Sequence, residues 1–320
     1  MRLLGVELAR LRSRPAVIVM LLVTAAFVGL VAFATVYDTR PVSATEQATA
    51  EQLLERQQAS SQEEYAQCLE DPEPFFGPER STADCESLLP TIDWFLTRAQ
   101  LDLAREVHDG GTSVMVMLAG LAILVAATFA GADWASGSMS TQLLFQPRRL
   151  RAWITKAAAV VLGCTGAAAV LLALFWGSLA AVASRRGLDV PDEAWTSILA
   201  TSLRSLALVA GVALGSFALT MLFRRTVATL GLLFAYAVVG EGLAASLPID
   251  KMSQWSMANN VMAWLHDGHE VYDESICSGA VDACDRLYTL TLTHSAVYLG
   301  VLLVLAVALS IVFFRRRDVP

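Results

Sequence analysis

The sequence predicts an all-α polytopic membrane protein: six transmembrane helices, with an α-helical extracytoplasmic insertion between the first and second. Three observations carry this. Of 320 residues, 55% are hydrophobic and 17% charged, against about 25% charged in a soluble domain. The apolar residues gather into six runs, over 15–37, 112–132, 153–183, 196–222, 226–246 and 291–314. Roughly 20 such residues cross a hydrocarbon core as a helix. Finally, the short connections on alternate sides of these runs differ sharply in Lys and Arg.

Residues 1–14 precede the first span. In "MRLLGVELARLRSR", Leu3, Leu4, Leu8 and Leu11 interleave with Arg2, Glu7, Arg10 and Arg14, the pattern of a cytoplasmic amphipathic helix. Two readings stand: an interfacial helix on the membrane surface, or a charged flank that sets topology. Pro15 suits the first turn of a new helix, and 15–37 is expected to be a retained anchor. Its apolar core exceeds the roughly 7–15 residues of a cleaved signal.

Residues 38–111 are an extracytoplasmic helical cap, too long for a plain connector. Helix formers fill "SATEQATAEQLLERQQASSQEEYAQCLE", and "LLPTIDWFLTRAQLDLAREVH" has apolar residues at helical spacing, with a turn-rich stretch between. A small helical hairpin follows. Its acidic surface serves solubility or attracts cationic ligands.

The second span, 112–132, leads into a coupling segment over 133–152. Residues 153–246 supply three transmembrane helices, the last two separated only by Phe223-Arg224-Arg225, which predicts a tight helical hairpin. Residues 247–290 mix apolar and polar positions too evenly to span. Trp255 and Trp264 suit an interface there, so a re-entrant or interfacial helix is expected. The last span, 291–314, precedes a tail over 315–320.

Orientation follows from the cations. Arg2, Arg10, Arg12 and Arg14, then Arg148, Arg149, Arg151 and Lys156, then Arg224 and Arg225, then Arg315, Arg316 and Arg317 fall on one side when the spans alternate. That side is expected to be cytoplasmic, with both termini in it, and the compartment is the plasma (cell) membrane. The net charge of −7 averages a basic inner face with an acidic outer one. The cysteines agree: Cys68 and Cys85 fall in the first outer loop, Cys277 and Cys284 in the last, and Cys164 sits in a span. One disulfide per loop is the simplest pairing in an oxidising compartment. The rival is a metal site from His266, His269, Cys277 and Cys284.

Chemistry-bearing motifs are absent. The sequence has no G-x-x-x-x-G-K-[ST] phosphate loop, G-x-S-x-G elbow, H-E-x-x-H or dinucleotide fingerprint. No catalytic residue, metal ligand, bound cofactor or nucleic-acid partner is predicted. Two charges lie inside apolar runs, Arg204 and Glu241. Charges there are costly and mark pairing or function. They are expected to pair across neighbouring helices or to line a wet outer vestibule; the alternative is snorkelling to the surface.

The segment most unlike a simple turn is "GADWASGSMSTQLLFQPRRLRAWITK", Gly131 to Lys156. Asp133 and Trp134 close the second span, Gly137 and Ser138 permit a bend, and Leu143, Leu144 and Phe145 form a short apolar helix ended by Pro147. Arg148, Arg149, Arg151 and Lys156 follow. This describes an amphipathic elbow able to seat its apolar side in a partner's groove and its arginines on carboxylates.

The order Asp133-Trp134, Gly137, Leu143-Leu144, Pro147-Arg148-Arg149 and Lys156 resembles the intracellular loop of type-2 ABC exporter permeases. There an acid, usually Glu, and an aromatic precede Gly-Thr, Leu-Leu, Pro-Arg-Arg and a Lys. Here Asp133 stands for the Glu and Ser138 for the Thr, and a large first outer loop departs from minimal members. The resemblance implies a non-catalytic permease subunit that exports a drug-like or lipid-like substrate by alternating access. It implies two copies of a separate cytoplasmic ABC ATPase, which would hold ATP and Mg. It also implies a second copy of this chain or a homologous permease, within the lipid bilayer. Asp133, Trp134, Gly137, Leu143, Leu144, Pro147, Arg148, Arg149 and Lys156 would then couple the ATPase to the spans. The alternative is a membrane sensor or assembly protein whose acidic outer cap binds a ligand or partner, with no ATPase.

Overall fold

The computed structural model describes residues 2–71, 82–96, 98–145, 148–242, 252–272 and 287–316. The chain divides into two compact units, one of Met1–Ala32 with Leu103–Pro320 and one of Phe33–Asp102.

In the larger unit, α1 (Arg2–Arg12) leads into α2 (Pro15–Asp38). After the smaller unit come α4 (Leu103–Glu106), α5 (Gly110–Ala135), α6 (Ser138–Phe145), α7 (Arg149–Arg185), α8 (Asp192–Phe223) and α9 (Thr226–Ala235). The last continues as a π turn, Tyr236–Gly240. Then follow α10 (Met257–His266), strands β1 (His269–Tyr272) and β2 (Leu287–Leu290), and α11 (Leu292–Arg316). Five helical segments are long and apolar enough to cross a membrane: Pro15–Asp38, Leu103–Ala135, Arg149–Arg185, Asp192–Phe223 and Leu292–Arg316. The expected fifth run, 226–246, is a shorter apolar helix over Thr226–Gly240, and its end lies outside the described residues.

The core lies along α5, whose buried face runs through Val114, Leu118, Ala122, Val125, Ala126 and Phe129. It packs chiefly on α8. Small residues let apolar helices approach closely, and hydroxyls bond across them. Ser216 Oγ donates to the Ile123 carbonyl at 2.9 Å. A Cβ added at Gly131 would sit 1.8 Å from Thr226 Oγ1, so only glycine admits the start of α9 there. Between α8 and α9, Arg224 adopts φ 58° and its N–H bonds to the Thr220 carbonyl at 2.8 Å. That left-handed cap makes the expected tight hairpin.

Within 247–290 the described residues form α10 and a two-stranded antiparallel ribbon that no sequence period announces. His269 pairs with Leu290 and Tyr272 with Leu287.

The smaller unit holds the end of α2, then α3 (Ala44–Glu70) and two 3-10 turns, Thr82–Leu88 and Ile92–Trp94. Ser43 and Glu46 form a capping box on α3. The two Ser43 hydrogen bonds, then Arg98, hold the Glu46 carboxyl below its ordinary value. Cys68 and Cys85 are disulfide-bonded. The expected helical hairpin forms only its first arm. Pro90 interrupts the second, and the apolar period that follows is divided at Asp102 between the two units.

Candidate functional site

The elbow begins where α5 ends. Ser136 N–H reaches the Ala132 carbonyl at 3.0 Å, and Gly137 turns the chain at φ 70° before α6. Glycine enters this left-handed region without steric penalty. Met139 is buried, whereas Leu144 is 83% exposed, so α6 keeps one side in and presents another. Arg148 is exposed and Arg149 half-buried.

Beneath the elbow four charges meet. Lys156 Nζ, 1% exposed, donates to Asp133 Oδ2 at 2.5 Å and to Glu7 Oε2 at 3.2 Å. The other oxygen of Asp133 accepts from Arg14 Nη2 at 2.5 Å. The Arg14 Nη1 donates to the Phe129 carbonyl at 2.9 Å, and its guanidinium lies 4.5 Å over the Phe129 ring. Lys156 Nζ also stands 5.6 Å from that ring's centre. Glu7 Oε1 takes a bond of 3.1 Å from Gln142 Nε2 of α6, and Arg10 lies 3.7 Å away at the rim.

The fold joins Asp133 and Lys156, expected in the coupling set, directly. It also turns them inward: both are buried and occupied by each other, leaving the outer elbow face to Leu144, Arg148 and Arg149. The partners Glu7, Arg14 and Gln142 were not singled out. A signal for Glu7 existed. It falls three and four residues after Leu4 and Leu3 and four before Leu11, inside the apolar stripe. This stripe is the side of α1 that the fold covers. Its Glu7–Leu11 face packs on α7, where a Cβ at Gly163 would lie 2.4 Å from Leu11 Cδ2.

Trp134 points elsewhere. Arg224 stacks 4.7 Å over its ring, and Phe314 meets it edge-on at 6.4 Å. It therefore joins the elbow to the α8–α9 turn and the end of α11. The side chain of Leu143, and Pro147 altogether, lie outside the described residues.

Burying an unpaired ion costs several kcal/mol, and removing one member of a buried pair about 3–5 kcal/mol. In this cluster two carboxylates face two cations, and every charge has an opposite partner. The chemistry is mechanical: a closed polar joint binding α1, α5, α6 and α7.

Arg204 and Glu241, at the opposite end, do not pair with each other. Arg204 Nη2 bonds Asp267 Oδ2 at 2.7 Å. Glu241 Oε1 accepts from the Met257 N–H at 2.7 Å and the Ala258 N–H at 3.3 Å, while Oε2 accepts from Ser256 Oγ at 2.5 Å. It caps the N-terminus of α10, where backbone donors and dipole favour an anion. In place of the expected pairing, the residues at the two ends of α10 supply each charge with a nearer partner. Trp264 Nε1 donates to the Arg204 carbonyl at 2.9 Å, fixing that segment to α8.

Beside them His108 and His266 stack with centroids 4.4 Å apart, and His266 Nε2 lies 2.9 Å from Thr112 Oγ1. Burial first, then the nearby charges of His108, His269 and Arg204, push the His266 imidazole down to about 4. Among the described residues no three His, Cys, Asp or Glu side chains converge as metal ligands would. Cys277 and Cys284 lie outside them. No protein-family model, curated protein or solved structure matches the chain.

Proposed function

We propose that this chain is the permease subunit of an ATP-driven exporter of the type-2 ABC class, moving a drug-like or lipid-like substrate across the plasma membrane. A sixth span over 226–246 completes its membrane domain, and a second permease copy and two cytoplasmic ATPase subunits complete the transporter. ATP and Mg belong to those partners.

The buried cluster carries this reading. A surface loop that served only topology would need exposed arginines and nothing more. Here the elbow is bonded through Gln142 and Asp133 to Glu7, Arg14 and Lys156, so a push on it is delivered to three helices at once. Leu144 and the Arg148–Arg149 pair offer the groove-seating apolar contact and the carboxylate-binding cations of a docking helix.

The test replaces Arg148 and Arg149 together by Glu. Membrane insertion is expected to persist. Co-purification of an ATP-hydrolysing subunit, and stimulation of its turnover by this chain, are expected to be lost. An ATPase that still co-purifies and responds as before sinks the assigned role of the elbow; no ATPase with the unaltered chain supports the sensor or assembly reading instead.

A further inference from the structure

Between the start of α7 and the end of α11 a cleft of about 610 Å³ opens, walled by Arg148, Arg149, Arg151 and Arg315 and floored by Leu150 and Ile154. Arg149 Nη1 bridges the two helices through the Arg315 carbonyl at 3.5 Å. Arg148, Arg151 and Arg315 are exposed, and among the described residues none of them has an ion-pair partner. Contrast this with Arg14, Lys156 and Arg204, each of which holds a carboxylate. A concave site walled by exposed guanidinium groups, with no acid among its described lining residues, suits an anion, and the planar forks of arginine fit phosphate oxygens.

What kind of phosphate is decided by the rest of the wall. Leu150 is exposed beside the arginines, and Ile154 lies one turn further along α7 with half its surface open. On α11, Val312 and Phe313 expose their side chains in the turn before Arg315. The cations therefore sit at the rim of an apolar helix surface, at the end of two segments long enough to cross a bilayer. A soluble phosphate has no use for that apolar continuation, whereas a phospholipid fills both parts, headgroup in the arginines and acyl chains along the helices. Basic pockets between membrane helices bind anionic headgroups in this way.

We propose that this cleft is a binding site for an anionic phospholipid of the arginine-side leaflet. The assignment does not rest on the permease reading, since it requires only that these helices span a membrane. The cleft shares Arg148 and Arg149 with the elbow face, and Arg151 and Arg315, which play no part in the docking test above, tell the two apart.

The experiment uses the full chain in mild detergent, offered an equimolar mixture of phosphatidylglycerol and phosphatidylcholine, with retained lipid read by native mass spectrometry. The unaltered chain is expected to retain phosphatidylglycerol selectively. The double variant Arg151→Gln with Arg315→Gln should lose selectivity by about fivefold per arginine removed, and Arg151→Lys with Arg315→Lys should recover much of it. As a control for bulk charge, Arg12→Gln with Arg185→Gln removes two exposed arginines elsewhere and should leave selectivity intact. A third arm adds excess inorganic phosphate, which should not displace the lipid. Equal retention of the two lipids, equal loss in the control variant, or full displacement by inorganic phosphate would each overturn the proposal.

Discussion

The two ends of the α5–α8 core both carry ionisable groups in apolar helices, and they solve the problem oppositely. At the elbow end, Glu7, Asp133, Lys156 and Arg14 neutralise one another out of water. At the other end, Arg204 is 23% exposed and holds an Asp267 that is 60% exposed, while Glu241 rests on backbone N–H groups. A buried network ties its members to one geometry because every alternative leaves a charge stranded; a wet pair can part at little cost. The elbow end is therefore the rigid one, and the other the adaptable one.

Lys156→Met strikes the contrast hardest. It removes the cation that Asp133 and Glu7 share, leaving Asp133 to Arg14 and Glu7 to the rim Arg10, and is expected to lower stability by about 3–5 kcal/mol, read as a fall in thermal midpoint in detergent. Adding Asp133→Asn should recover part of the loss, since the cluster then balances one buried carboxylate, Glu7, against one cation, Arg14. A smaller effect is expected from Glu241→Gln, about 1 kcal/mol, with faster hydrogen exchange at the Met257 and Ala258 amides. Unchanged exchange there would refute the capping role. The smallest belongs to Asp267→Asn, about 0–1 kcal/mol, shrinking further at high salt. Should that substitution cost as much as Lys156→Met, the distinction between the ends collapses.

Local pattern announced what local pattern can. Five of the six apolar runs form long helices, the Phe223-Arg224-Arg225 break forms a left-handed turn, and the expected bend falls at Gly137. Cys68 and Cys85 joined within their loop. What stayed hidden depended on residues far apart in sequence. Glu7 and Lys156 meet where α1 packs on α7, with Leu11 seated against Gly163, and nothing near Glu7 names its partner. Arg204 and Glu241 were matched on depth alone, without the residues at the two ends of α10 that partner them. The ribbon of His269–Tyr272 with Leu287–Leu290 draws its pairing from strand on strand, which no helical period records.

The length of α7 has a consequence of its own. It runs unbroken for 37 residues, roughly 55 Å at the helical rise and well beyond a hydrocarbon core of about 30 Å. Lys156 grips it near one end. A rod held there behaves as a lever with unequal arms: a tilt of about 10° at the grip sweeps the Arg185 end sideways by about 8 Å, given the helical rise over the intervening turns. A displacement too small to disturb the ion pairs would still be large on the far side of the membrane.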